Sequence, residues 1–217
     1  MTFNTQSFNV FTVEGLEPRM AAIREEIWPD FENFASDISA HLEQKLHSEE
    51  VRNIHIAQHA RRTVYAPEGT WVAVGGNKRG YKKFPHFQIG INADYVFIAL
   101  ACIDNPTHEK EIAQDFADHA ADFQKLPADY VIIPDHTVKD FIAVSDVDCA
   151  AFFERVARVK KAEFMIGRIA QRGSELLRTD ESTRQWMIDT VDLLLPHYRR
   201  AMSFYATTIT AVAAKGQ

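Results

Sequence analysis

Several familiar signatures are missing from this sequence. Only two cysteines occur among 217 residues, Cys102 and Cys149. Both sit in apolar segments with neither disulfide nor zinc-site spacing, so a stapled scaffold is excluded and both thiols read as small buried hydrophobes. Glycine (9) and proline (8) are too few for a collagen-like or low-complexity chain. The longest apolar stretch, around 95–103, is about half of the roughly 20 residues that a membrane-spanning helix needs. The first ten residues, MTFNTQSFNV, lack the basic-then-apolar order of a secretory leader. The expectation is a cytoplasmic protein with no membrane partner. No internal repeat or linker interrupts the chain. Neither G-x-x-x-x-G-K-[ST] nor H-E-x-x-H occurs, so no catalytic motif states a reaction.

What is present is an ordinary globular composition, 46% hydrophobic, 25% charged and 11% aromatic. A chain of this length buries roughly 70% of its unfolded surface, enough for one sizeable core, so 1–217 is expected to be a single domain. The charge is less ordinary. The net charge of −6 divides into −7 for residues 1–50, +6 for 51–90, −9 for 91–150 and +4 for 151–217. The second block carries Arg52, Arg61, Arg62, Lys78, Arg79, Lys82 and Lys83 against Glu68 alone. A focused basic block in an acidic chain is a candidate anion site; the plain alternative is that its cations pair with the acidic helices.

Hydrophobic spacing orders the elements. An apolar–polar alternation over 8–13 reads as a short strand. Met20, Ile23 and Ile27 form a helical stripe opened at Glu17-Pro18, and Trp28-Pro29 ends or kinks it. A second helix runs from Asp30 to near Leu46. The period then falls to 2, predicting strands over 51–57, 70–74, 86–91 and 95–103, the last two joined as a hairpin. Loops are expected over 60–69 and 75–81, the latter flagged by three glycines. A helix over 108–124, short strands over 130–133 and 141–144, a helix opened by Ser145, a strand over 162–169 and a long helix after Thr179 punctuated by Pro196 complete the order. Terminal helices around a run of strands predict an α+β domain with a largely antiparallel sheet.

The central motifs are His55-Ile-Ala-Gln-His59-Ala-Arg61-Arg62-Thr63-Val64, Thr70-Trp71-Val72-Ala73, Lys78-Arg79-Gly80-Tyr81-Lys82-Lys83 and Pro85-His86-Phe87-Gln88-Ile89-Gly90. Together with Phe11-Thr-Val-Glu-Gly15-Leu16, Arg19-Met20, Asp135-His136-Thr137 and Val159-Lys160-Lys161-Ala162-Glu163, they resemble the YktB family of bacterial proteins, which has no assigned function. The resemblance covers nearly the whole chain and implies an α+β single domain. It implies no substrate, cofactor or catalytic residue. The tail 203–217 departs from the family pattern and reads as peripheral or disordered.

The candidate ligand-binding set is Arg61, Arg62, Lys78, Arg79, Tyr81, Lys82, Trp71, His55 and His136. Guanidinium forks hold phosphate or carboxylate oxygens bidentately, a glycine-rich loop offers backbone N–H groups to the same oxygens, and aromatic faces suit a base or sugar. His59 and His86 are the candidate acid–base residues. No metal site is expected: His55, His59, His86 and His136 have no carboxylate or cysteine at ligand spacing, and Gln58 stands where a carboxylate would help. No cofactor is implied. The preferred reading is a protein that binds a phosphate-bearing or other anionic small molecule. The alternatives are a hydrolase or transferase with a histidine acid–base, and a protein-interaction module. Duplex nucleic acid is disfavoured by the acidic remainder of the chain. The sequence carries no signal for oligomeric state.

Overall fold

The computed structural model describes residues 2–78, 80–104 and 106–205. Its centre is a seven-stranded sheet in the order β1-β2-β3-β4-β7-β5-β6, with every neighbouring pair antiparallel. The strands are β1 (Ile54–Ile56), β2 (Gly69–Val74), β3 (His86–Asn92), β4 (Tyr95–Cys102), β5 (Tyr130–Ile133), β6 (Ile142–Ala143) and β7 (Phe164–Gln171). The expected β3–β4 hairpin is present. Asn92 closes it, its side-chain oxygen accepting the N–H groups of Asp94 (2.8 Å) and Tyr95 (3.1 Å).

Helices α2 (Leu16–Glu26) and α3 (Trp28–Leu46) adjoin at Ile27, and Pro29 lies in the first turn of α3, where its missing N–H costs no hydrogen bond. Phe31, Phe34, Ile38 and Leu42 all face inward from α3. The long α7 (Asp180–Ser203) starts at a Thr179–Ser182 capping box and runs through Pro196 without ending. Between them lie α4 (Glu109–Asp118), α5 (Ala120–Phe123) and α6 (Cys149–Arg158). Phe116, Phe123, Phe153 and Phe164 form a ring-to-ring cluster that joins these helices to β7.

Three expectations are corrected. Residues 8–13 form no strand: Asn4 caps a short helix, α1 (Thr5–Asn9), which continues as a 3-10 turn over Val10–Thr12. A side-chain cap supplied from outside the run overrides a short alternation. The helix expected over 108–124 is divided at His119, the residue between α4 and α5. The helix expected from Ser145 begins instead at Cys149, because the Asp148 carboxylate accepts the Ala151 N–H and serves as the cap. In the tail, Ser203 ends α7 and Tyr205 is buried, its hydroxyl donating to the Lys83 carbonyl at 2.9 Å. The remainder, 206–217, lies outside the described residues. Among the described residues no helix is long and apolar enough to cross a membrane.

The two faces of the sheet differ. Val72, Val74, Phe87, Ile89, Ile91, Val96, Ile98 and Leu100 belong to the main core with α3 and α7. The alternate positions point the other way. There, Ala99, Ala101, Ile103, Val131, Ile133 and Met165 form a second, smaller apolar cluster, while β1, β2 and β3 present His55, Trp71, Gln88 and their neighbours.

Candidate functional site: a basic cleft on the second face of the sheet

A cleft of about 1360 Å³ lies over that second face. Its floor includes Trp71, Gln88, Phe97 and Met165, alternate residues of β2, β3, β4 and β7. One wall is built by the segment 55–71 with Lys78 and residues 80–83, the other by Ile133 and the loop His136, Thr137, Val138, Lys139. The local backbone explains why the floor is hollow. At Gly90 a Cβ would lie 2.3 Å from the Phe97 ring, so only glycine lets that ring lie flat across its neighbouring strand.

Glycine also places Tyr81. Gly76 has φ +73°, and a Cβ there would come within 2.5 Å of the Tyr81 Cα. The loop therefore folds back and sets the Tyr81 ring against His55 (5.2 Å between centroids) and His86 (4.9 Å). The Trp71 indole N–H donates to the Tyr81 hydroxyl at 2.9 Å. The indole also meets His59 edge-on at 5.3 Å and His136 at 6.0 Å, and the Lys82 ammonium stands 5.7 Å from its centroid. Two aromatic rings and four histidines thus form a connected assembly at the cleft.

The cations expected from the sequence come together. Arg61, Arg62, Lys78 and Lys82 line one cleft with His55, His59, His136, Trp71 and Tyr81. Arg79 lies outside the described residues. His86 is not among the lining residues; it is fully buried under Tyr81, with Nδ1 2.9 Å from the Phe84 carbonyl and Nε2 3.3 Å from the Gln88 side-chain amide. Burial holds its pKa down to about 4, so it is neutral near pH 7. His59 is likewise held to about 4, first by burial and then by the Arg62 charge, and its Nε2 lies 3.1 Å from the Thr70 hydroxyl.

Several cations elsewhere on the surface and at the cleft rim are held in ion pairs. Arg168, Arg184, Arg52 and Lys139 are matched with Asp129, Asp37, Glu43 and Asp94. Arg61, Arg62 and Lys78 make no ion pair with any acid among the described residues. Arg62 instead donates to the carbonyls of Tyr65 (3.3 Å) and Ala66 (3.4 Å), which ties the loop down and leaves its charge uncompensated. Among the described residues, seven lysines and arginines line the cleft against two acids, Glu68 and Asp104. A chain of net charge −6 therefore encloses a positive cleft.

Sequence reasoning missed the acidic corner of this cleft. Lys82 is paired with Asp104, and His136 Nδ1 with Glu163, which also accepts the His136 backbone N–H at 2.8 Å. Burial would raise the Asp104 carboxyl, but the hydrogen-bonded Lys82 ammonium outweighs it and, with His136 and Arg61, holds it below the usual carboxylate range. Glu163 closes one of the family-like motifs and His136 stands in the middle of another. Their contact spans 27 positions, so no spacing rule could have joined them.

Comparison with known proteins agrees with the motifs. The family model described as "Domain of unknown function (DUF1054)" matches residues 3–198. The chain belongs to this family. DUF1054 relatives carry the name UPF0637 protein, and the YktB proteins are the same family. The relative from Enterococcus faecalis is 44% identical over 94% of this chain and 99% of its own length. Those from Shouchella clausii and Oceanobacillus iheyensis are 41% and 40% identical, over 95% and 92% of this chain and 97% and 96% of their own lengths. The DUF1054 description assigns no activity, so any functional reading rests on the cleft itself.

Proposed function

We propose that this protein binds a small anionic molecule, a phosphate-bearing one foremost, in the basic cleft. The observation that carries this reading is the set of three cleft cations, Arg61, Arg62 and Lys78, which make no ion pair with any acid among the described residues. Solvated cations at a surface are ordinary, but unpaired ones gathered in a concave site are oriented toward whatever enters it. Trp71 and Tyr81 beside them supply flat apolar area for the uncharged part of such a ligand. The acidic remainder of the chain favours a small molecule over a long polyanion.

Acid–base catalysis by His59 or His86 has less support. His86 does not line the cleft, and the Nε2 of His59 is held by Thr70. An interaction module would present these cations on a flat or convex surface rather than around a hollow floor.

Thermal unfolding at constant ionic strength tests the reading, with inorganic phosphate, pyrophosphate and ADP as probes and sulfate as the control. A probe at about 100 times its dissociation constant stabilises by roughly 2.7 kcal/mol, a rise of about 5–10 °C for a domain of this size. The expected result is such a rise for at least one phosphate compound and its loss in the Arg61→Ala/Arg62→Ala/Lys78→Ala variant. An unchanged midpoint with every probe, or an equal rise in the variant, refutes it.

A further inference from the structure

Strands β4 and β5 both run antiparallel to β7 and lie on either side of it. The ends of β4 and β5 therefore flank the start of β7 at one end of these three adjacent strands. Asp104 follows β4, His136 follows β5 and Glu163 precedes β7. The topology thus gathers two carboxylates and an imidazole from three separate stretches of chain. One ligand atom from each lies within 4.8 Å of the other two.

We propose that Asp104, His136 and Glu163 bind one divalent metal ion of the zinc–manganese class at the rim of the cleft. This inference is independent of the anion reading. One nitrogen and two carboxylate oxygens make a mixed donor set suited to a borderline transition metal, whereas magnesium prefers oxygen alone. His136 and Glu163 are largely shielded, with side chains 10% and 12% exposed, while Asp104 opens to solvent and to the cleft. That combination leaves an entry path and open coordination positions.

Two further observations favour a cation here. Glu109 adjoins the cluster with a buried carboxylate oxygen, Oε1, that has no hydrogen-bond partner. Its carboxylate is within electrostatic reach of Glu163, so a third acidic group stands at this corner. In addition, the Lys82 ammonium already sits on Asp104, where it occupies the place of a cation. Its flexible, partly exposed stem can swing away when a metal competes. The backbone N–H groups of Asp104 (3.1 Å) and His136 (2.8 Å) both donate to Glu163, which orients the carboxylate. Glu163 Oε2, which accepts only the Asp104 N–H, retains a lone pair for a metal, whereas Oε1 already takes both the backbone N–H and Nδ1 of His136.

Isothermal titration of the full chain with zinc, manganese and magnesium chlorides, in a phosphate-free buffer near neutral pH, tests the assignment. One zinc or manganese ion per chain is expected, with magnesium at least about tenfold weaker. Asp104→Asn, His136→Ala and Glu163→Gln should each weaken binding about tenfold or more. Lys82→Met should strengthen it by removing the competing ammonium, a gain that misfolding cannot produce. The Arg62→Ala/Lys78→Ala variant should bind metal as the natural chain does, which separates this site from the anion reading. Absence of saturable binding, or unchanged affinity in both His136→Ala and Lys82→Met, overturns the proposal.

Discussion

The same four strands, β2, β3, β4 and β7, make two different surfaces. Toward α3 and α7 they present Val72, Val74, Phe87, Ile89, Ile98, Leu100 and Ile166, each at most 1% exposed. Toward the cleft they present Trp71, Gln88, Gly90, Phe97 and Gly167. The first face is uniform because its only task is to exclude water. The second mixes rings, amides and glycines because a hollow must be kept open and its polar atoms must be satisfied. The main core lies on one side of the sheet and the cleft on the other, which the period-2 alternation of a strand permits without any change of backbone.

That division is open to attack, and the largest effect should come from the helix side. Phe87→Ala removes a fully buried ring that packs on Tyr198 at 5.3 Å, and should cost about 3–5 kcal/mol in chemical denaturation. A cost below about 1 kcal/mol would mean that this face is not the stabilising one.

Acidification should weaken the fold through the histidines held neutral. His86 has its folded pKa at about 4, below the ordinary 6.5. Between those values the unfolded chain binds the proton and the folded chain does not. The contribution of His86 is therefore present above pH 6.5 and is lost as pH falls toward 4, by up to about 3 kcal/mol. His86→Asn should flatten this part of the stability–pH curve, measured by denaturation at successive pH values; a curve of unchanged slope would show that burial does not hold His86 neutral.

Asp30 has the opposite sign. It is buried in α3, and burial, reinforced by the Asp180 and Glu26 charges, raises its pKa from 3.8 to about 6. The protonated form favours folding below pH 3.8, and that advantage disappears as pH rises through about 6. Asp30→Asn should therefore stabilise the protein at pH 7, by about 1–3 kcal/mol, and should gain almost nothing at pH 4. Equal gains at the two pH values would rule out ionisation as the cause.

The smallest effect on stability is expected at the cleft cations. Arg61→Ala and Lys78→Ala break no ion pair among the described residues, so each should change stability by no more than about 0.5 kcal/mol. The same variants should reduce the thermal shift produced by phosphate compounds. A large loss of stability would assign these residues to the fold instead of the ligand.

Long elements were legible from the residues: α3 by its four inward apolar positions, the β3–β4 hairpin by its alternation and short connection, and α7 by its start after Thr179. Short elements were not. The segment 8–13 alternates over too few residues to outweigh the Asn4 cap, and the start of α6 depends on which of two neighbouring side chains reaches a backbone N–H. The basic side of the cleft was visible because its charges cluster along the chain. Its acidic corner was invisible because Asp104, His136 and Glu163 are brought together only by the pairing of β4, β7 and β5.

The sequence by itself determined the α+β class, the family, the alternation that gives the sheet two unlike faces, and the excess of positive charge in one stretch. These are properties of local order and composition, which propensity and spacing encode directly. Only the tertiary structure decided that Arg61, Arg62 and Lys78 share one hollow, that His86 lies beneath it and that His136 meets two carboxylates. Those facts depend on strand order and on which carboxylates come within a few ångströms of each cation, and neither is written in the distance between residues along the chain.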